Sequence, residues 1–420
     1  MVSDDPSSAT NGMANQENNI SHRTPYSENC NSFPTFERLE ESNTRENLSG
    51  ELPMEIITSN SQDAFISAPV LCEVYEHDQF FKGCKWSPDD LSNRILTCDG
   101  GNKLRIFHTF LNRMDFVSSQ ISDDFCELSN IGKIYDFDWY PIVSPSQYYV
   151  LVASSLGPIH MWDLRTSKSE ASYQMYSTKD EAVHAHCVTS SLDGQEIYAA
   201  TSDYIFHFDA NRPGRTYDFV STRSHFRRAI ISTIALNPIR NSMFAVGTYN
   251  NRIGIYDEAQ LLCMLYGHTK GITYLKFSPN GTFLFSGVRG EKEIICWDLR
   301  NPGTALYKLN RAVKTQQRIY FDLTADGKYI VSGSTNGDIL VWNTLLPPVD
   351  DTLEPICTFK AHEDCANGIS INKQVPIIAT VSGQYHDNES SRLFYDSEDE
   401  YQPVDYPKIE NSLKLWHVKW

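Results

Sequence analysis

Apolar and polar residues alternate with a period of two in short runs along the chain, and turn-forming residues separate the runs. The stretch from Gly267 to Asp298 shows this most clearly. Its first run, Ile272 to Phe277, reads Ile-Thr-Tyr-Leu-Lys-Phe and is followed by Ser278-Pro279-Asn280-Gly281. A second run covers Thr282 to Gly287, and a third ends on Trp297-Asp298. Runs of this length and period predict β-strands. Proline fixes one backbone angle of the intervening turn and Asn-Gly tolerates the left-handed one, so the first two strands are expected to form a tight hairpin.

The unit recurs. An aromatic residue followed by a polar one closes a strand at Phe107-His108, Trp162-Asp163, Phe208-Asp209, Tyr256-Asp257, Trp297-Asp298, Trp342-Asn343 and Trp416-His417. First-hairpin turns match these one for one, at Ser87-Pro88-Asp89, Tyr140-Pro141, Leu192-Asp193-Gly194, Asn237-Pro238, Ser278-Pro279-Asn280, Ala325-Asp326-Gly327 and Asn372 to Pro376. Both series count seven, and the intervals fit the period of roughly 40–45 residues of WD40 repeats. Gly267-His268 and Trp297-Asp298 bound the stretch as such a blade requires. The expected fold is all-β, a seven-bladed WD40 β-propeller with a disordered N-terminal tail. A β-sandwich would share the strand spacing but not the paired repetition. His268, Ser286 and Trp297 are expected to form a structural hydrogen-bond network through their blade.

Seven blades need about 350 residues, which leaves no room for a second folded domain. Residues 1–62 are rich in Ser, Asn, Glu and Thr and are expected to be a disordered acidic tail; 63–420 form the propeller. The chain stops at Trp420, shortly after the third strand of blade seven. Its fourth strand is therefore expected from residues 69–75, upstream of blade one, which would close the ring without a long free edge. Blade seven is interrupted: Asn372 to Trp416 spans 44 positions where other blades need about 19, and the excess is an acidic insert over 384–410.

Charge sharpens the picture. The net charge of −17 is unevenly placed: residues 1–60 carry −7 and the insert −6, leaving only −4 on the rest. Ten cysteines without C-x-x-C spacing or a signal peptide suggest free, buried thiols in a reducing compartment. No apolar run reaches membrane-spanning length. His184 and His186 share one face of an expected strand, but no third ligand lies nearby, so they read as ordinary strand residues and neither a metal nor a cofactor is expected. The chain has no G-x-S-x-G, H-E-x-x-H or P-loop motif, and no enzyme activity is expected.

The segments FFKGCKWSPDD, ASSLGPIHMWDL, RPGRTYDF, GHTKGITYLKFSPNG, EIICWDLR, TQQRIYFDL and CANGISI resemble the telomerase Cajal body protein 1 family. The likeness runs in order from about Phe80 to Trp416, long last-blade insert included. TQQRIYFDL with VSGSTNGDILVW is its most specific part, because generic WD40 repeats do not fix those residues. The resemblance implies a non-catalytic adaptor that recognises a short loop element in box H/ACA small Cajal-body RNAs and telomerase RNA. It would direct these ribonucleoproteins within the nucleus.

Loops before each blade, and those between its second and third strands, share one face of a propeller, the top. They place Arg223, Arg227, Arg228 and Arg252 on blade four, Lys270, Arg289 and Lys292 on blade five, and Arg311, Lys314 and Arg318 on blade six. Glu291 and Glu293 oppose them. His225, Phe226, Tyr249 and Tyr320 are interleaved, and the aromatic rings are candidates for base stacking. Basic residues mixed with aromatics suit loop or single-stranded RNA. The expected partners are a small non-coding RNA and ribonucleoprotein proteins, with no DNA. Scattered solubilising charge is the plainer reading of the same residues. A protein-only scaffold, such as a G-protein β-like subunit or a regulator binding a Gα partner in the cytoplasm, is the alternative function, and the acidic segments suit it better. The insert falls on the same top face and is expected either to screen the basic patch against non-specific RNA or to be a solvated loop.

Overall fold

Hydrogen bonds between the first strands of successive blades carry the chain around a ring. A computed structural model describes residues 69–88, 94–111, 118–126, 132–141, 148–386 and 409–420. The expected tail over 1–62 and the centre of the insert lie outside these residues. The first strands are Phe81–Trp86, Ile134–Trp139, Cys187–Ser190, Ile231–Leu236, Ile272–Phe277, Phe321–Leu323 and Ala366–Ile371. Each opens a sheet whose first four strands run antiparallel, with a short fifth strand added in parallel in blade five, and together they make the seven-bladed propeller that the paired repeats predict.

Every neighbouring pair of first strands is joined. Trp139 Nε1 donates to Lys85 O at 3.0 Å, the Val188 amide to Asp136 at 3.2 Å, and Cys187 Sγ to Ile231 O at 3.7 Å. Ser232 Oγ donates to Ile272 O at 2.5 Å, Lys276 pairs with Asp322, and the Ile371 amide donates to Asp322 at 2.9 Å. Trp86 Nε1 completes the circle on Ser370 O at 3.1 Å. Burial follows the same logic. A blade is apolar on both faces and can cover neither alone. The seven large clusters of buried apolar residues accordingly fall one at each blade–blade interface, as with Tyr140, Leu151 and Met161 of blade two against Val188, Ile197 and Phe206 of blade three.

Local chemistry fixes the hairpins. Ser191, Ser278 and Thr324 open three equivalent turns. Their hydroxyls donate to Asp193, Asn280 and Asp326 and accept the amides of Glu196, Phe283 and Tyr329. Gly194, Gly281 and Gly327 then adopt φ of 68, 67 and 71°, a region that glycine enters without cost.

The expected network in blade five is present. Trp297 Nε1 donates to Ser286 Oγ at 2.8 Å, and His268 Nε2 lies 2.8 Å from the same oxygen. Blade seven repeats it with Trp416, Thr380 and His362, at 2.9 and 2.8 Å. The strand Val70–Glu76 pairs antiparallel with Ser412–His417 and is the outermost strand of blade seven. Its Tyr75 ring meets Phe107 of blade one edge-on, centroids 4.8 Å apart.

Candidate nucleic-acid interface

The loop from blade three into blade four makes one helical turn, Arg223–Phe226. Phe226 faces inward and is fully buried. Arg227 and Arg228 follow with φ of 52 and 59°, two consecutive left-handed residues without a glycine. That conformation costs a Cβ-bearing residue roughly 1–2 kcal/mol. Asn250 Nδ2 holds the loop by donating to Phe226 O at 2.8 Å, and the Tyr249 amide donates to Ile230 O at 3.0 Å. Both arginines therefore stand exposed on the rim.

Beside them, Arg252 Nη1 donates to His225 O at 3.0 Å. Tyr249 is 40% exposed, and the Arg289 guanidinium sits 4.5 Å from its ring centroid. Gly271 makes this pairing possible: a Cβ there would come within 2.9 Å of Tyr249 O and 3.0 Å of Arg289 Nε. Lys270 and Lys292 are exposed on the same blade. The two opposing acids are engaged within the fold. Glu293 pairs with Lys308 at 3.1 Å. Glu291 accepts the Thr269 amide at 2.8 Å and lies 3.2 Å from His268 Nδ1. Burial works against its charge, but the bonds from His268 and Thr269 outweigh this and hold its pKa at about 2.

Not every expected residue joins this surface. Phe226 and Tyr320 are buried, so neither offers a face to a base. The Tyr320 ring packs over Gly83, where a Cβ would meet it at 2.5 Å. Arg311 is also buried; its Nη1 donates to Ser332 Oγ at 2.6 Å and Ile319 O at 3.1 Å. It occupies in blade six the place of His268 in blade five and His362 in blade seven, which is why the loop pulls it inside. Arg318 turns into the ring, where it pairs with Asp136 at 3.0 Å and donates to Ser232 O at 2.8 Å. Arg223 is exposed but pairs with Asp203 at 2.9 Å. Lys314 is exposed at a shallow depression of about 650 Å³ that also takes in Gln316, Gln317 and the insert's first residues, Gln384 and Tyr385. The structure thus groups Arg227, Arg228, Arg252, Lys270, Arg289, Lys292 and Tyr249 as an open rim over blades four and five.

Three features were beyond sequence reasoning. Acid–base pairs Lys85–Asp138, at 2.9 Å, and Lys276–Asp322 link first strands, and Arg318–Asp136 links the loop into blade six to the first strand of blade two. The insert is pinned at both ends: His386 pairs with Asp364 at 2.7 Å and Glu410 with His362 at 2.9 Å. His184 and His186 lie between the short strand Ala182–Val183 and Cys187–Ser190 rather than on a strand. Among the described residues no group of three metal-binding side chains is found.

The WD domain, G-beta repeat family matches residues 259–298 and 319–343. Telomerase Cajal body protein 1 of Mus musculus is 39% identical over 321 residues, covering 73% of this chain and 59% of that protein. The Bos taurus protein of the same name is 35% identical over 378 residues, 85% of this chain and 67% of its own length. Guanine nucleotide-binding protein negative regulator 1 of Schizosaccharomyces pombe is 29% identical over 291 residues, 63% of this chain and 70% of that protein. The chain spans about three-fifths of the mouse protein.

Proposed function

The chain belongs to the telomerase Cajal body protein 1 family, and from that premise we propose that it is a non-catalytic WD40 adaptor for small box H/ACA-type RNA and its ribonucleoprotein in the nucleus. The observation that carries the reading is the blade four–five rim. Arg227 and Arg228 are held outward in a costly backbone conformation, beside a Tyr249 ring paired with Arg289. Strained backbone retained at an exposed, charged loop points to a ligand. Arginines contact phosphates and the tyrosine stacks on a base, the combination that loop RNA needs.

The test is binding of the full chain to a labelled box H/ACA RNA across a salt series. Affinity should fall steeply with salt. Arg227→Glu with Arg228→Glu should lower it at least about tenfold, since charge reversal removes contacts and adds repulsion. Equal affinity of the folded double variant and the parent sinks the proposal.

A second reading follows from the Schizosaccharomyces pombe relative, whose name is that of a G-protein regulator. On that reading the same face takes a Gα-like protein. Capture of a purified Gα subunit together with no salt-sensitive RNA binding would favour it.

A further inference from the structure

First strands of five blades carry a bulge near their start, and three treat it alike. In blades four, five and seven the register shifts at Ser232, Thr273 and Asn367. All three are nearly fully buried and bond to backbone carbonyls: Ser232 to Ile272 O, Thr273 to Gly287 O at 3.3 Å, and Asn367 to Gly383 O at 2.8 Å. In blade two the shift falls between Ile134 and Asp136, and the residue there is Tyr135. It is 38% exposed. A bulge re-aims a side chain, and here the side chain is aimed outward.

Two imidazoles from the loop into blade three face it. The Tyr135 ring lies 5.8 Å from His184 and 5.5 Å from His186, and the two imidazoles are 5.3 Å apart. The rings meet at 31, 52 and 83°, as walls of a cup rather than layers of a closed stack. Burial, and then the neighbouring His184, lower the pKa of His186 and keep it neutral, with one ring nitrogen a donor and the other an acceptor. Asp136, next in sequence, bonds Arg318, which also reaches Ser232 O at the start of blade four. The Arg227–Arg228 loop leads into that same strand. The cup and the basic rim thus flank Arg318.

We propose that Tyr135, His184 and His186 hold one unpaired base of the RNA whose phosphates lie on the Arg227–Arg228 rim. The proposal rests on the RNA reading above. A tyrosine face stacks on any base, while a neutral imidazole meets its polar edge with a donor or an acceptor. Nothing in a duplex stem meets these needs, so the ligand is a loop nucleotide.

The experiment uses the full chain and a labelled box H/ACA hairpin loop, intact and as a set in which each loop nucleotide in turn is abasic. Tyr135→Ala should weaken the intact loop about tenfold, the effect of losing one stacked base. It should cost nothing further on the one abasic loop that already lacks that base, and Tyr135→Phe should bind as the parent does. Crosslinking 5-iodouridine loops to the unaltered protein should label the Tyr135 peptide, a result that needs no variant to fold. If Tyr135→Ala binds the intact loop like the parent, or loses equally on every abasic loop, the pocket is wrong while the RNA reading stands. If the parent binds no RNA, both fall, and binding of a peptide instead would identify the cup as a protein site.

Discussion

Arg318, in the loop into blade six, holds Asp136 of blade two at 3.0 Å, although 182 residues separate them. The same guanidinium donates to Ser232 O of blade four at 2.8 Å, and its Nη1 lies 3.2 Å from the Tyr320 hydroxyl. One side chain therefore ties three blades together across the ring.

Removing it leaves a buried carboxylate without its cation, which typically costs about 3–5 kcal/mol. Arg318→Met should lower the urea midpoint by a corresponding amount. Arg318→Met with Asp136→Leu should recover part of the loss, because no charge is then stranded. A double variant no more stable than the single one would show that the pair does not act as a unit.

This pairing also shows where sequence reasoning stops. The blades are legible because their signals are local. Ser278-Pro279-Asn280-Gly281 bonds within itself, and Trp297 sits 11 residues from its partner Ser286. The exposed arginines of the rim are legible as loop residues for the same reason. Arg318 and Phe226 are not. Arg318 sits in a basic loop like its neighbours, and only the ring's closure brings Asp136 to it. Phe226 lies among basic residues, but one helical turn points it at the core while Arg227 and Arg228 turn out. Tyr135 falls within the first strand of blade two, Ile134–Trp139, and its outward aim depends on the bulge.

Acid should attack blade seven in two stages. Burial lowers the pKa of His362 against the pull of Glu410, so it is neutral in the fold. Burial also opposes the charge of Glu410, but bonds from His362, the Glu363 amide, Lys414 and Ser412 outweigh it and hold that carboxyl well below its usual range. In both cases the unfolded chain takes up protons first, so stability falls with falling pH. The histidine contribution is lost below its ordinary value of 6.5, the carboxylate contribution below 4.5. Melting temperatures between pH 7.5 and 3 should show both stages. Glu410→Gln should melt lower at neutral pH and flatten the second stage; curves parallel to the parent's would refute the assignment.

The Val70–Glu76 strand gives blade seven its outer edge and packs the half-buried Tyr75 against Phe107. Deleting residues 1–68 should leave the melting temperature unchanged. Deleting 1–76 should lower it and promote association, because the Ser412–His417 strand is left with an unpaired edge. Light scattering and thermal melts of the two truncations decide the matter, and identical behaviour would mean that the strand does not secure the ring.

Tyr249 and Arg289 touch, yet their losses should look different. Arg289→Ala removes a charge, so the slope of log affinity against log salt should shrink by about 0.7, the value of one phosphate contact on a single strand. Tyr249→Ala removes a stacking face. It should weaken binding by roughly five- to tenfold while leaving the slope as it was. Matching salt slopes in the two variants would mean that arginine and tyrosine do not divide the work in this way.

Arg311 and Arg227 are both loop arginines in the sequence, and the fold gives them opposite fates. Arg311 is buried, donates to Ser332 Oγ and Ile319 O, and stands where blades five and seven place a histidine. Burial pulls its pKa down to about 9, as the low-dielectric surroundings disfavour its charge. Arg311→Ala empties that space and strands the Ile319 carbonyl, at a cost of about 2–4 kcal/mol. Lysine should rescue part of the loss, since both bonds come from the single nitrogen Nη1, which one ammonium can replace. RNA affinity, corrected for the folded fraction, should stay at the parent's value in Arg311→Ala while the urea midpoint drops. Arg227→Glu with Arg228→Glu should do the reverse. If Arg311→Ala instead weakens RNA binding with its midpoint intact, the blade five–six interface opens to the ligand and Arg311 belongs to the interface after all.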